Sequence, residues 1–150
     1  MEDALAQGLI GIIVAGIVAA WIYGRKYFHL KLHEKRIEKG SINSMYVVAK
    51  IYVQKRKFSE AIPLLIKITE KKPNLYEPFE LLASCYLIEK KYELAIPLFT
   101  RLVKEESNNA QNNFNLGYCY YKTNNTEQAL LYQAKAITLN KKLKRKKYIE

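Results

Sequence analysis

Few side chains in this 150-residue sequence stand where they could do chemistry. His29 and His33 are four apart, so on a helix their imidazoles share a face that could hold a metal. No third ligand of suitable type stands near them in sequence, and Lys31 and Lys35 would repel a cation. They read as two solvated histidines, and no metal is expected. Cys85 and Cys119 occupy equivalent places on what read as neighbouring helices, separated by about 8–10 Å of packing. That is too far for an unstrained disulfide, so both are expected as small apolar side chains packed inside. The sequence carries no Gly-rich phosphate loop, nucleophile elbow, zinc spacing or clustered carboxylate pair. Neither enzyme activity nor a cofactor is expected, and the function is sought in surfaces that bind.

Those surfaces depend on the elements that carry them, and a period organises most of the elements. From Gly117 in Leu116-Gly117-Tyr118-Cys119-Tyr120, a step of 34 residues back reaches Ala83 in Leu82-Ala83-Ser84-Cys85-Tyr86. A second step reaches Ala49 in Val48-Ala49-Lys50-Ile51-Tyr52. Tyr52, Tyr86 and Tyr120 align, as do Ala61, Ala95 and Ala129, Phe58 and Tyr92, and Pro63 and Pro97. Each unit splits into two helices: Asn43–Gln54 and Ser59–Lys71, Tyr76–Glu89 and Tyr92–Glu105, Gln111–Lys122 and Thr126–Leu139. Ser59 and Thr126 are the expected N-caps. Ala49, Ala83 and Gly117 are small because the two helices of a hairpin cross there, and the aligned alanines are small on the facing helix.

Before the repeats, residues 4–23 carry one polar side chain, Gln7, and no charge. They reach about 30 Å as a helix, the hydrocarbon thickness of a bilayer, and Trp21 and Tyr23 close the run as an interfacial belt would. The expectation is an uncleaved transmembrane anchor over 1–23, a basic juxtamembrane helical stalk over 24–41, and a basic tail over 144–150. Gly40-Ser41 breaks the stalk, with Ser41 a helix N-cap. Arg25, Lys26, Lys31, Lys35 and Arg36 would contact the membrane surface. By the positive-inside tendency, the C-terminal domain would lie on the cytoplasmic or stromal side. Ala4, Gly8, Gly11, Ala15 and Ala19 line one face of that helix, where a second helix could approach closely. The formal net charge of +11 fits an anionic surface or an acidic partner. With an anchor expected at the other end, nucleic acid is not.

A 34-residue period without insertion resembles the tetratricopeptide repeat family over residues 42–143, in units 42–75, 76–109 and 110–143. The resemblance implies an all-α chain: a single N-terminal transmembrane helix followed by an α-solenoid of three helix hairpins. It also implies a partner-binding groove lined by the first helix of each unit. By family position these residues are Asn43, Tyr46, Lys50 and Val53, then Glu77, Glu80, Ser84 and Leu87, then Gln111, Phe114, Tyr118 and Tyr121. An aromatic cluster beside a short acidic step suits a peptide or helix with apolar and basic anchors. The repeats that grip a C-terminal carboxylate use a Lys and an Asn where this chain has Tyr46 and Lys50, so that ligand class does not fit.

Two departures point to a weaker third unit. Asn113 stands where Met45 and Phe79 stand, and Gln133 stands where Leu65 and Phe99 stand. Leu130, Leu131, Ala134 and Ile137 leave its last helix apolar, with something expected to cover them. By layout the chain is also similar to the small thylakoid tetratricopeptide proteins of cyanobacteria and algal plastids. That resemblance implies a thylakoid location and a partner among photosystem I subunits during assembly. The alternative is a stable structural subunit or receptor-type adaptor of another bacterial or organellar membrane complex.

Overall fold

The computed structural model describes the backbone of residues 2–38 and 41–146 and the side chains of 14–37 and 41–143. Among them the structure is all helical: α1 (Glu2–Glu38), α2 (Ile42–Gln54), α3 (Phe58–Lys71), α4 (Tyr76–Ile88), α5 (Tyr92–Glu105), α6 (Ala110–Lys122), α7 (Thr126–Leu139) and a 3-10 segment, η1 (Lys141–Lys146). The chain divides into two compact units, 1–48 and 49–150.

In the first unit, α1 runs unbroken from the apolar stretch into the charged one. Ser41 caps α2 as expected, its Oγ accepting the Ser44 N–H at 3.3 Å. The expected anchor does not stand. Among the described residues no helix is long and apolar enough to cross a membrane. The described apolar run is Val14–Tyr23, which rises about 15 Å before Arg25 and Lys26, roughly half a bilayer core. The earlier part of that run, with Ala4, Gly8 and Gly11, lies outside the described side chains. The single-pass placement and the thylakoid location inferred from it are therefore overturned. Arg25, Lys26, Lys31, Lys35 and Arg36 sit on α1, with Arg25 over the Trp21 ring at 5.5 Å and Lys31 over Tyr27 at 5.8 Å. No span among the described residues accompanies their expected lipid contact. The His29 and His33 rings lie 4.6 Å apart. No group of three potential metal ligands occurs among the described residues.

In the second unit each helix packs on the next: α3 on α4, α4 on α5, α5 on α6 and α6 on α7. The small residues are at the crossings, where Ala49, Ala61, Ala83, Ala95 and Ala129 are fully buried and Gly117 is buried. Phe79, Phe99, Leu102, Val103 and Leu116 fill a core with Ala83, Ala95 and Cys119, and Cys85 is buried as well. Both thiols are free and buried.

The turn inside each hairpin is built the same way three times. Arg56, Lys90 and Asn124, spaced by the repeat, hold φ of 57°, 59° and 62°. The N–H of the following residue reaches back to the aligned tyrosine carbonyls, Lys57 to Tyr52 at 2.8 Å, Lys91 to Tyr86 at 2.8 Å and Asn125 to Tyr120 at 2.9 Å. The left-handed residue itself donates to Val53, Leu87 and Tyr121. This is the Schellman arrangement, which satisfies the last carbonyls of a helix and reverses the chain. None of the three residues is glycine.

Two local expectations change. Ser59 does not cap α3: the helix begins at Phe58, and the Ser59 hydroxyl donates to Glu60 Oε2 at 2.8 Å. Thr126 likewise lies inside α7, which Asn125 caps by accepting the Gln128 N–H. Pro63 and Pro97 lie in the second turn of their helices, on exposed faces, so each leaves a carbonyl four residues earlier to water. Asn113 is held by its amide nitrogen, while its Oδ1 is buried without a hydrogen-bond partner among the described residues. The fully buried side chain donates through Nδ2 to the Ser107 carbonyl at 3.1 Å and the Asn109 carbonyl at 2.8 Å, tying down the loop before α6.

Candidate partner-binding surface

The twelve residues assigned to the groove fall on α2, α4 and α6, and none of them is buried. Their neighbours on the opposite side of α6, Asn112, Asn113, Leu116 and Cys119, are buried. Helical periodicity therefore splits α6 into a packed face and an accessible one. On α2, Asn43 and Lys50 are exposed and Tyr46 and Val53 half-buried. On α4, Glu77 is exposed and Glu80, Ser84 and Leu87 are half-buried.

The accessible face of α6 is aromatic. Tyr118 meets the ring of Tyr92, from the start of α5, edge-on at 6.1 Å between centroids. Burial, then the neighbouring Tyr118, pushes the Tyr92 phenol above its ordinary range. Lys122 places its ammonium 5.4 Å from the Tyr118 ring and 5.3 Å from the Tyr121 ring, within cation–π range of both. Gln111, the second residue of α6, donates to Asn115 Oδ1 at 2.8 Å. Tyr92 and Lys122 were not among the expected residues. Tyr92 shares its register with Phe58, which is buried. Lys122 reads as an ordinary last-turn lysine.

The acidic step on α4 is joined to α6 through a polar relay. Asn112 Nδ2 donates to the Tyr76 hydroxyl at 2.8 Å, with the Glu106 carboxylate acting on the same phenol. Burial first, then Glu106 and Glu80, push the Tyr76 phenol up to about 12. Arg101 completes the wall behind it, lying over Phe79 at 3.9 Å while its guanidinium donates to the Pro73 carbonyl and to Glu105.

Residues 86–132 match the family model described as tetratricopeptide repeat. No curated protein matches the chain. Among solved structures, MamA of MSR-1 is 25% identical with a TM-score of 0.67, over 75% of this chain and 66% of that one. MamA from Desulfovibrio magneticus RS-1 is 21% identical with a TM-score of 0.69, over 74% and 64%. YrrB, a TPR protein with an unusual peptide-binding site, is 23% identical with a TM-score of 0.66, over 74% and 58%. This chain thus spans less than two thirds of each of these structures. The 34-residue period and the hairpins built alike thus go with a tetratricopeptide repeat match over residues 86–132 and with a fold shared with these solved structures.

Proposed function

We propose that the repeat region is a protein-binding scaffold whose first helices hold an extended peptide or a helix from a partner. One observation carries the reading. At the registers that are polar or aliphatic in the second unit, α6 sets Phe114, Tyr118 and Tyr121 together, none of them buried, with Lys122 over two of the rings. Aromatic side chains supply large contact area at low entropic cost and dominate recognition energetics. Glu77 and Glu80 beside them favour a partner that adds a basic residue to its apolar anchors. The peptide-binding site of YrrB, a protein of the same fold, is in keeping with this. Under this reading the chain binds and carries out no catalysis.

The narrower reading, a helper in photosystem I assembly, rests on the three repeats and the resemblance of layout alone once the anchor is withdrawn. Crosslinked affinity purification from the source cells, comparing wild type with Tyr118→Ala/Tyr121→Ala, tests both levels. The double variant should lose at least about tenfold in recovery of a specific partner, two hot-spot truncations costing roughly 1.4 kcal/mol or more together. Equal recovery would remove the α6 face as the binding surface. A wild-type partner from an unrelated complex would remove the photosystem reading and leave the scaffold intact.

A further inference from the structure

Among the described residues other than glycine, only Arg56, Lys90 and Asn124 have positive φ. Glycine adopts that conformation freely and asparagine tolerates it, but a long side chain is strained there. Strain of this kind points to a side chain retained for what it does, and in two of the three turns that side chain is a cation. The helices α3 to α7 pack each on the next through short turns, so the turns before α3, α5 and α7 share one edge of the unit. The opposite edge turns without any left-handed side chain. There Lys72 donates to Ile68, Glu106 to Leu102 and Asn140 to Ala136, at 2.8, 2.8 and 2.9 Å, and Leu75, Asn109 and Leu143 each close the next bond. The strain is confined to one edge.

That edge carries Lys55, Arg56, Lys57, Lys90, Lys91 and Lys122, all exposed. Lys57 pairs with Glu60 at 3.5 Å and Lys91 with Glu89 at 3.9 Å. Among the described residues, Lys55, Arg56, Lys90 and Lys122 make no ion pair. Where asparagine takes the left-handed place, at Asn124, the cation stands two residues earlier, at Lys122. Compensation of the helix dipole does not account for the pattern. Lys55 and Lys91 would serve that purpose with glycine at the strained places between.

The acids on the same edge select the class of ligand. Glu93 and Glu127, in the first turns of α5 and α7, are exposed beside Glu60 and Glu89. A uniform polyanion, whether a phosphate backbone or an anionic bilayer, would meet repulsion there as well as attraction. The rings that begin α3 and α5 are not open to stack on bases either, since Phe58 is buried and Tyr92 half-buried. A protein chain can set its carboxylates against the cations alone. We infer that the hairpin-turn edge binds an acidic segment of a protein partner through Arg56 and Lys90, with Lys55 and Lys122 beside them. Neither Arg56 nor Lys90 belongs to the groove assignment, so this surface does not rest on that reading.

The probe is a flexible peptide of about five Glu-Gly-Ser repeats, titrated at low salt into the isotope-labelled full chain and followed by amide chemical shifts. The amides of Arg56, Lys90 and Lys122 should move together and saturate, with a dissociation constant of about 1 mM or below. Arg56→Gly/Lys90→Gly should weaken binding at least about threefold while raising the urea midpoint, since glycine relieves the strain. Arg56→Asn/Lys90→Asn, which copies the third turn, is the second variant and should weaken binding likewise. Lys67→Gln/Lys104→Gln removes the same charge from exposed positions on α3 and α5 and should leave binding unchanged. Absence of saturation, or an equal loss in the Lys67/Lys104 pair, overturns the inference. So does a glycine pair that lowers the urea midpoint, because the strain would then be absent. Oligothymidylate or phosphatidylglycerol vesicles that shift the same amides at lower concentration would reassign the edge to a phosphate polyanion and overturn the protein partner.

Discussion

At the scale of single residues, the packed side of the hairpins fixes the chemistry of its polar groups. Burial, with Glu89 adding to it, raises the Cys85 thiol to about 11. Burial, with Glu93 adding, raises Cys119 to about 12. Only the thiolate attacks a disulfide reagent, so at pH 8 both cysteines should react no faster than the protein opens. Timed labelling with a bulky aromatic disulfide, with and without urea, checks this, and a fast phase in the native protein would contradict it. Tyr76 gives a second prediction. Its phenol ionises near 10 when unfolded and is held up to about 12 in the fold. The neutral form is therefore the one the fold stabilises, intact below pH 10 and lost as pH rises from 10 to 12. Tyr76→Phe also takes the acceptor from the buried Asn112 amide, at a cost of about 1–3 kcal/mol. Urea unfolding should show that gap at pH 8 and a narrower one at pH 11.

At the scale of elements, the hairpin turns hold a correctable strain. Lysine at φ 59° costs about 1–2 kcal/mol relative to a right-handed conformation. Glycine removes that penalty but gives back about 0.5–1 kcal/mol in unfolded-chain entropy. Lys90→Gly should therefore stabilise by about 0.5–1 kcal/mol. Asn124→Gly should gain less, since asparagine tolerates this conformation. Midpoints of urea denaturation compare the two directly.

The helices themselves were legible because spacing dictates them. The 34-residue period, with alanine or glycine at each crossing, placed all six repeat helices to within a residue at both ends. Caps were less legible. Ser59 has the right chemistry for one, but the Schellman turn at Arg56 sets where α3 begins, and the hydroxyl is spent on Glu60. Asn113 defeats register reasoning for a related reason. A polar residue in an apolar register signals loose packing unless a neighbouring loop presents carbonyls to it, and Ser107 and Asn109 do so. Tyr92 and Lys122 were missed because a contact between the ends of two helices leaves no periodic mark.

At the scale of the whole molecule, each hairpin of such an array is stabilised by its neighbours. The helix α3 buries Phe58, Ala61, Ile62, Leu65, Ile68 and Thr69, whereas α7 buries only Ala129, Gln133 and Ala136. Local opening should therefore be easiest at the third unit. Amide hydrogen exchange should show α7 exchanging before α4 and α5, with uniform protection as the contrary result. The N-terminal region taught the opposite lesson. Hydropathy alone gave an anchor there, yet the described apolar run stops at Tyr23 and the same helix carries on into Arg25 and Lys26.

The exit turn of α7, which copies the two joints before it, has a consequence for how such a chain could lengthen. A stretch with the sequence of 76–109 inserted after Leu143 would continue the register of the two earlier joints, with η1 giving way to an extended N-cap such as Leu75 and Asn109 provide. Leu130 then becomes interior, and a gene duplication in register would be accommodated at once. The joint makes length a variable that selection or an engineer can change by whole units, while the turn chemistry at Arg56, Lys90 and Asn124 is carried along unchanged.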